Sequence, residues 1–376
     1  MNESVKIGGG AFANVFLDKD GNVIKRYSHD EKKDAAKEID ILNIIKKNRT
    51  GFKKQCESNL GFSVKSSIIT IKGWYIDKEE DYRGEPCVKL KKYISDLNSF
   101  NKLYIKKSGK LLDYDIVKHI HYKIMMGLAE LEFSNIIHGD LKPENILVGF
   151  KETKNNKNMS LEKMINFIMK EEVKSGGIQK IIKHLVVKII DFSKSLISSS
   201  VMKSLNIQTI YYTPPEIVIG IRDYNNSVDI WTSSCILYEM LTGKYLFNIF
   251  NNNSISSNDN SKESEDSKST INNSSSSDAY GYDNSEKFNH LALLHLYRWV
   301  LGDMPKEMLE DAEQKEEYFS NDILLGACGV HQKSDNYIQK FNNFFDIIFS
   351  RTFNYNYKNR LSIEEYYCLY LRNTSQ

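Results

Sequence analysis

The sequence predicts an α+β fold, strand-rich at its front and helical behind. Three observations carry this. Residues 4–27 alternate apolar and polar positions in the manner of a hairpin. Residues 113–133 carry an apolar stripe at helical spacing, and further such stripes follow. Directly after that stripe comes Ile136-Ile137-His138-Gly139-Asp140-Leu141-Lys142-Pro143-Glu144-Asn145-Ile146-Leu147-Val148, in which apolar pairs anchor a tight polar loop.

The first strands are Val5-Lys6-Ile7, Val15-Phe16-Leu17 and Val23-Ile24-Lys25, with a turn at Asp20-Gly21-Asn22. The run Ile7-Gly8-Gly9-Gly10-Ala11-Phe12-Ala13-Asn14-Val15 lets backbone N–H groups approach phosphate oxygens without a Cβ in the way. A flexible hairpin explains such a run equally well; Lys25 on the third strand, ten residues after Val15, strengthens the phosphate reading. Residues 30–47 read as a helix capped by Ser28 or Asp30, with Ile39, Leu42 and Ile45 or Ile41 as its stripe. Glu38, just ahead of that stripe, can turn inward and pair with Lys25. Ser66–Tyr75 and Pro86–Lys91 complete a small sheet.

Asp113 caps the helix over 113–133, whose stripe is Val117, Ile120, Ile124, Leu128 and Leu131. The loop behind it holds Asp140, Lys142 and Asn145 at fixed separations. That set suits phosphoryl transfer: a carboxylate to orient and deprotonate a hydroxyl, a cation near the moving phosphate, and a neutral oxygen for Mg2+. Residues 151–183 read as an insertion after the strand Ile146–Phe150, with a helix through Leu161, Met164, Ile165 and Ile168 and a break at Ser175-Gly176-Gly177. A buried strand then leads to Asp191-Phe192-Ser193, and Asp229-Ile230-Trp231 opens an apolar helix. Residues 248–286 are dominated by Asn, Ser and acidic residues, the composition of a disordered loop. His290–Val300 is helical, residues 303–340 are irregular with acidic Glu310, Asp311, Glu313, Glu316 and Glu317, and Phe341–Phe349 and Ser362–Leu371 close the chain.

Composition excludes several classes. The chain has 376 residues, 41% of them hydrophobic, enough for a sizeable core. A net charge of +2 makes no case for nucleic acid or an acidic membrane surface. No apolar run reaches the ~18–20 residues of a membrane span, and the N-terminus lacks a secretory apolar segment. Five scattered cysteines without C-x-x-C spacing suit reduced thiols in an intracellular protein. His119 and His121 read as surface or packing residues and not as ligands, with no His/Cys cluster at metal spacing.

From Ile7 to about Leu371 the chain resembles the eukaryotic protein kinases. The glycine run, Lys25, the Asp140 loop, Asp191-Phe192-Ser193 at the Asp-Phe-Gly position and Pro214-Pro215-Glu216 at the Ala-Pro-Glu position occur in the required order. The resemblance implies a bilobal protein-kinase fold: a small N-terminal β-sheet lobe with one helix that binds ATP (residues 1–93), and a larger, mainly α-helical C-terminal lobe (94–376). It implies that the backbone from Ile7 to Val15 covers the nucleotide and that Lys25 and Glu38 position it. Asp140 would be the base, Lys142 would stabilise charge at the γ-phosphate, and Thr209 would bond both. Asn145 and Asp191 would hold Mg2+. Glu216 would need a buried cation, with Arg360 the candidate, and Asp229 would cap the catalytic loop from beneath.

Asp-Leu-Lys-Pro-Glu-Asn is the wording of Ser/Thr kinases. A finer likeness is to the SR-protein kinases, carried by Ile207-Gln208-Thr209 leading into Tyr212, Glu216-Ile217-Val218-Ile219-Gly220, Leu241-Thr242-Gly243-Lys244-Tyr245-Leu246-Phe247, the insertion between Asn145 and Asp191, and the segment after Leu301-Gly302-Asp303-Met304-Pro305. It implies Arg/Ser-rich protein substrates of the splicing type, bound partly through acidic grooves. The protein is expected to be a cytoplasmic monomer, with nuclear entry left open, and to need neither nucleic acid nor membrane. Ala13, Gly139, Ser193 and Thr213 depart from the family pattern. Gly139 removes the arginine that normally receives a phosphorylated activation-segment residue, which implies activity without that phosphorylation. The first three departures motivate an alternative, a pseudokinase scaffold. A small-molecule kinase is disfavoured by Thr209–Glu216, which in the family forms a platform for polypeptide.

Overall fold

The computed structural model describes residues 5–9, 13–61, 64–78, 82–151, 153, 159–200, 203–205, 207–249, 284–314 and 340–374. Strands β1 (Val5–Gly9), β2 (Ala13–Leu17), β3 (Asn22–Tyr27), β4 (Ile71–Ile76) and β5 (Pro86–Lys91) form an antiparallel sheet in the order β1-β2-β3-β5-β4. The β2–β3 turn is built by Asp18, whose Oδ1 accepts from the backbone N–H of Asp20 at 3.0 Å and of Asn22 at 2.7 Å. Lys89 sits mid-strand on β5 because Asp18 receives its ammonium at 2.7 Å. Helix α1 (Lys32–Leu60) packs against β4 and β5. Its Ala35, Ile39, Leu42 and Ile45 share one core with Tyr27, Ile71 and Val88.

The structure departs from the sequence expectations at the first helix and at the strand that follows it. The first helix does not stop at 47: it runs to Leu60 and buries Phe52 and Cys56. Gly51 admits the Phe133 ring, which would stand 3.1 Å from a Cβ there. Neither Ser28 nor Asp30 caps it; Glu31 is the N-cap residue, and its side chain makes no capping hydrogen bond. The strand over Ser66–Tyr75 also starts late, at Ile71. Ser66–Thr70 is drawn instead to the second half of the chain, where Ile69 N–H donates to Ile189 O at 3.0 Å and Ile189 N–H to Ser67 O at 2.8 Å.

The larger part is helical: α2 (Leu97–Ser108), α3 (Tyr114–Phe133), α4 (Leu161–Glu172), α5 (Gly177–His184), α6 (Pro215–Val218), α7 (Ser227–Thr242), α8 (Asn284–Leu301), α9 (Lys306–Glu310), α10 (Asn343–Thr352) and α11 (Ile363–Thr374). Short strands β6 (Ser95–Asp96), β7 (Ile136–Ile137), β8 (Ile146–Phe150), β9 (Leu185–Ile189) and β10 (Leu196–Ile197) pair as β6-β8-β9 and β10-β7. Asp113 caps α3 by accepting from Asp115 N–H, and the whole expected stripe is buried. His121 is a packing residue: its Nδ1 lies 3.0 Å from Tyr366 Oη, and burial pushes its pKa down to about 3.

In residues 151–183, Met164, Ile165 and Ile168 of α4 and Ile181 of α5 join the main core. Most of the expected disordered loop, residues 250–283, lies outside the described residues, but Asn284 already opens α8. In the stretch expected to be irregular, α9 is helical, while residues 315–339, with Glu316 and Glu317, lie outside the described residues. Among the described residues no helix is long and apolar enough to cross a membrane.

Candidate active site

The loop between β7 and β8 is held from below by Asp229 in the first turn of α7. This buried carboxylate accepts from His138 N–H at 2.7 Å and from Gly139 N–H at 3.1 Å. Burial raises its pKa against the opposing pull of these donors and of Gln208. His138 has a defined tautomer: its Nδ1 accepts from Asp140 N–H at 3.2 Å, so Nε2 carries the proton and donates to Ile190 O at 3.0 Å. Gly139 has φ +75°, and a Cβ there would stand 3.0 Å from Lys194 O.

The Asp140 carboxylate therefore emerges from a fixed backbone and is 6% exposed. Thr209 Oγ1 donates to its Oδ1 at 2.9 Å, and Lys142 Nζ stands 3.0 Å from its Oδ2 and 3.3 Å from Thr209 Oγ1. Asn145 ties the loop back on itself by donating from Nδ2 to Asp140 O at 2.8 Å. Its Oδ1 is left without a protein donor among the described residues. Ile190 N–H donates to Asn145 O at 2.9 Å, which places Asn145 beside the segment leading into Asp191.

The sheet reaches the same place through Lys25. Its ammonium stands 2.9 Å from Glu38 Oε2 and 2.8 Å from Asp191 Oδ1, joining β3, α1 and the end of β9. Burial works against the charged lysine, but the two carboxylates outweigh it and hold its pKa above the ordinary value. Asp191 shows the mirror image: burial would raise it, yet Lys25 and the Ser193 hydroxyl pull it down to about 2. Asp191 also adopts a left-handed backbone, φ +66°, a region in which Asp is enriched among non-glycine residues. Its neighbour Phe192 is fully buried, donates N–H to Glu38 Oε1 at 3.3 Å, and packs edge-on against His138. The free oxygens of Asp191 and Asn145, one carboxylate and one amide, are the hard donors that Mg2+ takes. Among the described residues no group of three or more His, Cys, Asp or Glu could hold a metal ion.

The glycine-rich stretch is only partly in view. Ile7, Gly8 and Gly9 lie on exposed β1; Ala13, Asn14 and Val15 lie on β2, with Gly8 opposite Val15 and Gly9 opposite Asn14. Val15 in turn faces Lys25 across the β2–β3 ladder. Gly10, Ala11 and Phe12 lie outside the described residues. A Cβ at Gly8 or Gly9 would meet no atom of the Lys25–Asp191 cluster within 4 Å.

Several participants were not foreseen as such. Lys194 Nζ approaches Asp140 Oδ1 at 3.9 Å, and Ser193 Oγ donates to Asp191 Oδ1 at 2.9 Å. Gln208, at φ +70°, donates its N–H to Gly139 O at 2.5 Å and its side-chain amide to Asp229 at 3.3 Å. Beside the catalytic loop, Glu239 on α7 accepts from Tyr212 Oη at 2.7 Å. Burial and the negative charge of Glu144 push its pKa up to about 7, against the hydrogen bond from Tyr212. Glu144 and Gln208 stood inside motifs already recognised, but nothing local signals partners so far along the chain.

Known proteins similar to this chain are protein kinases. The chain is 25% identical over 243 residues to the serine/threonine-protein kinase AFC3 of Arabidopsis thaliana, covering 62% of this chain and 54% of that protein. It is 29% identical over 180 residues to a probable dual specificity protein kinase YAK1 homolog of Encephalitozoon cuniculi, covering 48% of this chain and 34% of the other. It is 34% identical over 140 residues to the mitogen-activated protein kinase mpkC of Aspergillus clavatus, covering 37% and 28%. The chain thus spans about half the length, or less, of these relatives. The model of the protein kinase domain matches residues 1–368, and with the two-part fold and the polar cluster between its parts, the chain belongs to the protein kinase domain family.

Proposed function

We propose that the chain is an ATP- and Mg2+-dependent protein serine/threonine kinase. The observation that carries the reading is Lys25, whose ammonium joins Glu38 of α1 to Asp191 beyond β9, at 2.9 and 2.8 Å. Such a linkage aligns a nucleotide-positioning lysine with a carboxylate that can hold metal. Asp191 and Asn145 would hold Mg2+, which when bound neutralises charge on the β- and γ-phosphate oxygens. The backbone from Ile7 to Val15 would cover the nucleotide.

Asp140 receives the proton as the acceptor hydroxyl oxygen bonds to the γ-phosphorus and the bond from phosphorus to the β,γ-bridging oxygen breaks, releasing ADP. A Thr hydroxyl already rests on its Oδ1, which supports Oδ1 as a place for a hydroxyl donor. Lys142, on the other carboxylate oxygen, keeps positive charge where the transferred group would be most negative. Thr209 bridges the two and ties residues 194–216, the activation segment of this reading, to the catalytic loop.

For the acceptor protein, the reading extends to Arg/Ser-rich sequences. Glu239 and Glu144 are two acidic side chains near one another beside the catalytic loop, and Glu239 is a half-buried carboxyl that would gain from a cation. A peptide array offered to the purified protein with ATP and Mg2+ tests this. Serines flanked by arginine should label most strongly, and labelling indifferent to basic flanks would contradict the substrate class. The scaffold alternative starts from Ala13, Gly139 and Ser193; against it, Lys25, Asp140, Asn145 and Asp191 are all present and mutually connected.

A further inference from the structure

The Asp191 carboxylate is not free to turn. Oδ1 receives two donors, Lys25 Nζ at 2.8 Å and Ser193 Oγ at 2.9 Å, while Oδ2 receives none among the described residues. Ser193 is 5% exposed, and this is the hydrogen bond its hydroxyl makes. The residue lies in a turn closed by Ser195 N–H on Phe192 O at 3.1 Å, and its own φ is not left-handed, so a side chain fits without strain. Phe192 is pinned by Glu38, so the backbone ahead of Ser193 is fixed as well. With glycine in this place, Lys25 alone would orient Asp191, and one bond to a flexible lysine leaves the carboxylate torsion soft.

We propose that Ser193 is a positioning residue for metal binding: by occupying Oδ1 together with Lys25, it presents Oδ2 of Asp191 to the divalent cation. The inference rests on the reading of Asp191 as a metal-holding group. It gives the departure from the Asp-Phe-Gly pattern a role, where the sequence alone shows a lost glycine.

The test is equilibrium binding of Mn2+, used as a spectroscopic probe, to the full chain in the presence of ADP. Free Mn2+ is followed by electron paramagnetic resonance. Ser193→Ala and Ser193→Gly should each weaken Mn2+ binding by about three- to tenfold, the range for one lost hydrogen bond. Ser193→Thr, which keeps the hydroxyl, should stay within about twofold of the natural protein. Affinity for ADP without metal should be the same in all four. Ser193→Ala binding Mn2+ as tightly as the natural protein overturns the inference and leaves the kinase reading untouched. So does Ser193→Thr binding as weakly as Ser193→Ala, because the hydroxyl would then not be the operative group. If the natural protein itself binds no Mn2+ with ADP, the reading of Asp191 fails first, and this inference falls with it.

Discussion

Glu216 and Arg360 lie 144 positions apart in the chain and meet in a fully buried two-pronged ion pair, with Nη1 and Nη2 at 2.5 and 2.6 Å from the two carboxylate oxygens. Arg360 further donates to Asn354 O at 3.0 Å and Ser227 O at 3.2 Å, and its guanidinium lies over Trp231. The pair therefore bolts the end of the activation segment to α7 and to the segment after α10. Removing either partner strands a buried charge, and Glu216→Ala or Arg360→Ala should cost about 3–5 kcal/mol in chemical denaturation. Arg360→Lys should recover little, since an ammonium cannot make the parallel bonds.

Asp229 supports the catalytic loop without approaching a reacting group. Asp229→Asn keeps one acceptor oxygen and turns the other into a donor facing a backbone N–H. It should destabilise the protein by about 1–3 kcal/mol and lower kcat. Thermal unfolding and steady-state kinetics on the same sample read both; unchanged values in both would show that the loop holds itself.

Apart from the Glu216–Arg360 pair, the activation segment is fastened by hydrogen bonds that need no phosphate. Gln208 N–H bonds Gly139 O, Thr209 bonds Asp140, and Tyr224 Oη donates to Ser204 O at 2.5 Å. No arginine precedes Asp140 to receive a phosphate. Activity of the purified protein should survive complete phosphatase treatment within about twofold, whereas an order that depended on a phosphate–arginine pair would collapse. Phosphopeptide mapping before and after treatment shows that the segment was stripped.

Glu239 sets a pH dependence for basic substrates. Its raised pKa of about 7 means that the free protein holds the carboxyl protonated below that pH, and a cationic side chain requires it ionised. KM for an arginine-flanked peptide should fall about tenfold between about pH 6 and pH 8, and Glu239→Gln should flatten that slope. For folding the sign is opposite. The raised pKa contributes stability that is complete below the ordinary glutamate value and is lost as pH rises through about 7.

Much of this was legible before any coordinates. Strand alternation, the α3 stripe and the cap at Asp113 depend on neighbours in sequence, and Lys25, Asp140, Asn145 and Asp191 stand in short patterns that resemble those of the protein kinases. The length of α1 was not legible. Its continuation past 47 rests on distant partners: the Phe133 ring beside Gly51 and Phe52, and Glu130, which receives Arg49. Ser66–Thr70 read as the start of a strand-like run, but it bridges to β9 through Ile68 and Ile189 and does not join the first sheet. Gly139 looked like a lost arginine; its φ of +75° and the carbonyl of Lys194 at 3.0 Å from a Cβ show a backbone that favours glycine. Ser193 and Lys194 act on partners that no local pattern names.

The most direct measurement is transfer of labelled phosphate from ATP to a serine peptide by the purified chain with Mg2+, alongside Asp140→Ala and Asp191→Ala. The natural chain should label the peptide. Asp140→Ala should bind nucleotide but lose about 10²–10⁴-fold in rate, and Asp191→Ala should lose both metal-dependent nucleotide binding and transfer. A natural chain that binds neither ATP nor Mg2+, or a peptide labelled equally by all three proteins, would contradict the account.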